Sequence, residues 1–167
     1  MLVFVAALLI ALDQVTKQWA ESTFPLGGPG MPLGLGFNLT YVRNSGAAFG
    51  IFQDGTLLLA ILSLAVSLGI LAYLIVRRHA LLPLQRWALT LIFAGAVGNM
   101  IDRFLYGYVI DFIHFHMGSF DFPVFNVADS CVVIGAGLMI LAGFFSPRPA
   151  AHQEKRLADP DFFKQIE

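Results

Sequence analysis

Four apolar runs set the organisation of the chain. Thr56 to Val76 is interrupted by nothing more polar than Ser63, Ser67 and Tyr73, which suffices for one helix across a hydrocarbon core about 30 Å thick. The other three fall short. Met1 to Leu12 stops at Asp13, Trp87 to Ile101 stops at Asp102, and Cys131 to Phe145 begins only after Asp129 and Ser130. A spanning helix needs roughly 20 residues, so each short run is expected to recruit its polar flank. The pattern predicts an all-α membrane protein with four transmembrane helices, residues 1–146, followed by a tail over 147–167.

Antiparallel spans bring the end of the first, the end of the third and the start of the fourth to one face of the bilayer. Asp13, Lys17, Asn99, Asp102, Arg103, Asn126 and Asp129 therefore converge. Basic residues in the connections set the orientation. Arg77, Arg78 and Arg86 lie between the second and third runs, and Arg148, Lys155, Arg156 and Lys164 lie in the tail. The other connections hold only Lys17, Arg43 and Arg103. Both termini are expected in the cytoplasm and the polar face outside. The first run has no basic n-region and no A-x-A-like site after it, so it reads as a retained helix rather than a signal peptide. Between runs one and two, Pro and Gly break any helix up to Gly36, whereas "FNLTYV" alternates as a strand does. A small β-containing extracytoplasmic cap is expected over about residues 20–55.

Composition narrows the function. Of 167 residues, 57% are hydrophobic and 13% charged, with a mean hydropathy of +0.75, far more apolar than a soluble domain of this size. A net charge of −1 with scattered basic residues leaves no footprint for nucleic acid. The lone Cys131 excludes a disulfide framework and a Cys-rich metal site.

Carboxylates at membrane depth cost roughly 2.5 to 3.5 kcal/mol each on insertion scales and are functional candidates by default. Asn99, Asp102 and Arg103 share a helix face at i, i+3 and i+4, and Asn126, Asp129 and Ser130 repeat the spacing. Asp13 and Lys17 sit at i, i+4 in the favourable acid-first order and read as a structural ion pair. Arg103 could neutralise Asp102 or reach a ligand. Asp121, between Phe120 and Phe122, reads as solvated. His114-x-His116 places two rings on one face of an extended chain, but no zinc-protease motif accompanies them and no metal is expected. Asp111 and Asp129, lacking obvious counter-charges, make poor structural glue. Two carboxylates in a dry pocket can divide into one acid and one base, the minimal apparatus for amide hydrolysis.

Five blocks in order, "LDQVTK" (12–17), "NSGAAFG" (44–50), "GNMIDR" (98–103), "VIDF" (109–112) and "FNVADS" (125–130), resemble the lipoprotein signal peptidase family (signal peptidase II), bacterial membrane aspartyl proteases. The resemblance covers nearly the whole chain to about Phe145. It implies that Asp111 and Asp129 are the catalytic dyad, that Asn44, Asn99, Arg103 and Asn126 support the dyad or bind substrate, and that no cofactor is used. It also implies diacylglyceryl-modified prolipoproteins as substrates, membrane lipids as the other partners, and a monomer in the bacterial inner membrane. Asp13 and Lys17 match family positions as well, still read as mainly structural. The rivals are a proton-coupled transporter, for which four spans without broken-helix repeats are a thin scaffold, and a lipid-modifying transferase, for which no phosphate or metal motif is present.

Overall fold

The computed structural model describes residues 1–46 and 55–145. The second half of the "NSGAAFG" block and the tail over 147–167 lie outside the described residues. The element order is α1 (Leu2–Thr23), β1 (Met31–Gly34), β2 (Phe37–Asn44), α2 (Thr56–Val76), α3 (Pro83–Tyr106), β3 (Val109–Met117), β4 (Phe120–Phe125) and α4 (Val127–Phe145).

All four helices are long and apolar enough to cross a membrane. α1 and α3 reach that length by taking in their polar flanks, Asp13 and Lys17 in α1 and Asn99, Asp102 and Arg103 in α3. Burial is inverted relative to a soluble protein. Asp13, Lys17, Asn99, Asp102 and Asn126 are buried, while Leu57, Leu68, Ile75 and Phe144 face outward. Apolar side chains can face lipid without penalty, whereas unpaired polar groups cannot.

α3 is the central helix, packed against α1, α2 and α4. Small residues let the backbones approach, as in other membrane bundles. A Cβ on Gly135 of α4 would sit 2.7 Å from the Ala88 carbonyl of α3, and one on Gly98 would sit 2.6 Å from Asp13 Oδ2. The lack of a side chain at Gly98 lets the α1 carboxylate sit against α3.

The four strands form one antiparallel sheet in the order β1-β2-β3-β4. This revises the expected cap. Only two of its strands come from residues 20–55; the other two are β3 and β4, between the third and fourth helices. α1 also continues to Thr23, so the cap begins later than expected. The reason the second hairpin is hard to read in sequence lies in β3, whose Val109, Ile110, Asp111 and Phe112 are all buried. A strand covered on both faces shows no polar-apolar alternation. Gly107, at φ +77, ends α3 in the left-handed conformation and turns the chain into β3 within two residues.

Candidate active site

Asp111 lies on β3 and Asp129 in the first turn of α4. Each is held by neighbours that the fold brings from elsewhere. Val42 of β2 stands opposite Asp111 in the sheet register. Asn44, two residues on, shares the face of Val42 and reaches diagonally across the pair. Its Nδ2 donates to Asp111 Oδ2 at 2.9 Å. Asn126 Nδ2 donates to the other oxygen, Oδ1, at 2.7 Å.

Asn126 was expected on the fourth helix beside Asp129; it is instead the residue capping that helix. Its Oδ1 accepts the Asp129 backbone N–H at 2.8 Å, and Asp129 Oδ2 accepts the Asn126 N–H at 3.2 Å. This is a reciprocal capping box, and it makes one of the two candidate carboxylates a fixture of the helix N-terminus, where negative charge is favoured. Asp129 Oδ1 accepts from Asn99 Nδ2 at 2.7 Å.

Asn99 and Asn126 are themselves oriented. Asn99 Oδ1 accepts from Lys17 Nζ at 3.0 Å and from Asn126 Nδ2 at 3.1 Å, which leaves its amide N–H groups to face Asp129. Lys17, 1% exposed, also contacts Asp13 at 2.8 Å and Asp102 at 3.0 Å. It is thus more than one half of an i, i+4 pair. Asp13 Oδ1 accepts the Ala128 N–H at 2.8 Å, and Asp102 Oδ2 accepts the Ile110 N–H at 3.1 Å. These two bonds tie α1 to the start of α4 and α3 to β3, the two elements that carry the candidate carboxylates. Gln14 Nε2 donates to Asp102 Oδ1 at 2.8 Å, a role that helix spacing does not assign although the residue falls inside the "LDQVTK" block.

Arg103 takes neither Asp102 nor any other described carboxylate within ion-pair distance. Its Nη2 donates to the Gly46 carbonyl at 3.3 Å, and its buried Nε has no partner among the described residues. Asp121 is exposed, as expected, and contacts His114 at 2.6 Å. At the other side of the sheet, Tyr41 donates to Glu21 at 2.6 Å, Arg43 Nε donates to Tyr41 at 2.6 Å, and the Arg43 guanidinium lies 4.6 Å from the Tyr108 ring centre. Burial and then Glu21 hold the Tyr41 hydroxyl up at about 12, so it remains a donor. This latch between α1 and the sheet was not apparent from sequence, because its members are far apart in the chain.

Burial, and next the negative Asp129, raise the Asp111 carboxyl from 3.8 to about 7 against the opposing effect of its Asn44 and Asn126 hydrogen bonds. Asp111 is 2% exposed, whereas Asp129 is only half-buried. Both line a cavity of about 1020 Å³, shared with Asn44, Asn99 and Arg103 and walled by apolar residues of α2, α3 and α4. The arrangement favours the protonated form of Asp111 up to about neutral pH, at the wall of a space open to an apolar chain.

Four membrane-length helices around a buried polar cluster, topped by a small sheet that completes it, are the design of a membrane enzyme. A solved bacterial membrane enzyme, determined by the in meso method at 2.3 Å, has the same fold, with a TM-score of 0.78, 35% identity, and coverage of 86% of this chain and 87% of that one. The profile of the family described as Signal peptidase (SPase) II matches residues 5–145. The lipoprotein signal peptidase of Psychromonas ingrahamii is 37% identical over 166 residues, 98% of this chain and 92% of that protein. That of a Synechocystis species is 44% identical over 137 residues, 81% and 83% of the two. The chain belongs to the signal peptidase II family of transmembrane lipoprotein-processing proteases.

Proposed function

We propose that the chain is an aspartic endopeptidase that removes the signal peptide from diacylglyceryl-modified prolipoproteins, cleaving on the amino side of the lipidated cysteine. The observation that carries this reading is the shared Asn126. It donates to Asp111 and caps the helix that bears Asp129, so the two carboxylates are registered to each other at one wall of the cavity. Asp129, at the N-terminus of α4, is the base. It takes a proton from water as the oxygen adds to the scissile carbonyl carbon. Asp111, which holds its proton, hydrogen-bonds the carbonyl oxygen as negative charge develops there. When the C–N bond breaks, Asp129 returns the proton to the leaving amine. Arg103, which lines the cavity, holds a backbone carbonyl of the substrate, and the apolar walls receive the signal segment and acyl chains.

The decisive experiment offers the purified protein a precursor with and without the diacylglyceryl group. Cleavage of the lipidated form only is expected. Equal cleavage of both, or of neither, overturns the substrate assignment.

The reading also requires the dyad end to face outward from the cytoplasmic membrane, with both termini inside and the protein acting as a monomer. In a Cys131→Ala background, Ser119→Cys at the β3–β4 turn should react with an impermeant thiol reagent from outside intact cells. His79→Cys should not react until the membrane is opened. Labelling of position 79 from outside would reverse the topology.

A further inference from the structure

At the end of the bundle remote from the dyad, α1 and α2 both pack on α3 but scarcely touch each other. The groove between them encloses about 510 Å³, within the roughly 300–1,000 Å³ typical of small-molecule sites. Ala7 of α1, Leu71 and Ile75 of α2, and Phe93 of α3 make its walls apolar, while Arg78 and Arg86 line it as well. Arg78 follows the C-terminus of α2 and Arg86 lies in the first turn of α3, so both guanidinium groups stand at one end of an apolar trough.

Among the described residues each of the two guanidinium groups has a single polar contact. Arg86 Nε donates to the Leu81 carbonyl at 3.2 Å, and Arg78 Nε donates to His79 Nε2 at 2.9 Å. No carboxylate occurs in residues 1–12, 55–101 or 131–145, so the described part of this end supplies no counter-charge. Planar guanidinium forks suit bidentate phosphate oxygens, and basic pockets between helices at the cytoplasmic surface are suited to anionic lipid headgroups.

We propose that this groove holds one anionic phospholipid, its acyl chain between α1 and α2 and its phosphate at Arg78 and Arg86. The occupant is drawn from the bilayer because the trough opens along the lipid-facing surface, where Leu71 and Ile75 are exposed.

The test uses the full-length protein released from vesicles of equal phosphatidylglycerol and phosphatidylcholine, with retained lipid counted by native mass spectrometry. Preferential retention of one phosphatidylglycerol is expected, undisturbed by excess inorganic phosphate. Arg78→Gln/Arg86→Gln should lower that retention roughly tenfold or more, as loss of two charges at a membrane surface implies. Arg77→Gln, which removes a neighbouring charge outside the groove, should leave it intact. Ala7→Trp, which fills the exposed side of the trough, should expel the lipid with both arginines in place. Cleavage in zwitterionic micelles reports that each variant is folded. Equal retention of the two lipids, displacement by phosphate, an equal loss in Arg77→Gln, no loss in the double variant, or no loss in Ala7→Trp overturns the proposal.

Discussion

Asp111→Asn and Asp129→Asn are each expected to lower turnover by at least about 10² to 10⁴-fold, the usual worth of general acid-base catalysis, with binding of lipidated precursor retained. The amide keeps the volume of the carboxyl, so the loss reflects proton transfer rather than packing. The pH profile of the unmodified enzyme carries the same information. The pair is competent with one proton, and its acid limb and alkaline limb belong to the pair rather than to either residue. With the Asp111 carboxyl raised to about 7, the alkaline limb should fall near that pH. Stability should follow the same group. An unfolded aspartate releases its proton near 3.8, whereas the native one holds it to about 7. The protonated carboxyl therefore favours the fold at acid pH, and that contribution is lost as pH rises from about 4 through 7. A rate independent of pH between 6 and 9, or strong inhibition by chelators relieved by zinc, would overturn the aspartyl mechanism.

Lys17→Met should be the most destabilising single change in the bundle. Lys17 is buried between Asp13 and Asp102, 2.8 and 3.0 Å away, and its removal leaves two carboxylates facing each other without their cation. Breaking a buried pair costs about 3–5 kcal/mol. The Asn99 amide also loses the donor that fixes its orientation toward Asp129, so the fraction that folds should turn over slowly. Thermal unfolding in detergent measures the first effect and single-turnover cleavage the second. Adding Asp102→Asn should recover part of the stability, because groups in one network do not act additively. A Lys17→Met protein with unchanged melting temperature and full turnover would mean that the cluster contributes nothing to either.

The bundle and much of the polar cluster were legible in the sequence for a physical reason. Three apolar runs were too short to span, and the bilayer thickness dictated which polar residues had to be drawn in. Asp13, Lys17, Asn99 and Asp102 follow from that deficit alone. The second hairpin of the sheet did not follow, since β3 is covered on both faces and β4 carries Pro123 in a run of aromatic residues. Asn126 lies one residue before the helix on which its spacing predicts it. Its spacing to Asp129 suits a helix face and a capping box equally, and only the backbone conformation decides between them. Sequence spacing pairs Lys17 only with Asp13, because it reports neighbours on one helix and not the contacts made across helices. The Gln14 contact and the Glu21–Tyr41–Arg43–Tyr108 latch join distant segments, which neither apolar periodicity nor local spacing reports.

The division of the site between β3 and α4 bears on how such a chain is made. Asp111 is synthesised before the last helix and Asp129 at its beginning, while Asn126, which reaches both, lies at the junction. A ribosome-bound chain with three helices inserted has one of the two candidate carboxylates and not the other. In the folded chain the two candidate carboxylates come together where the Ala128 and Ile110 amides engage Asp13 and Asp102. If these two carboxylates are the catalytic pair, proteolytic competence arrives last. On that assignment a half-inserted molecule is expected to be inactive toward its neighbours in the crowded environment of the insertion machinery.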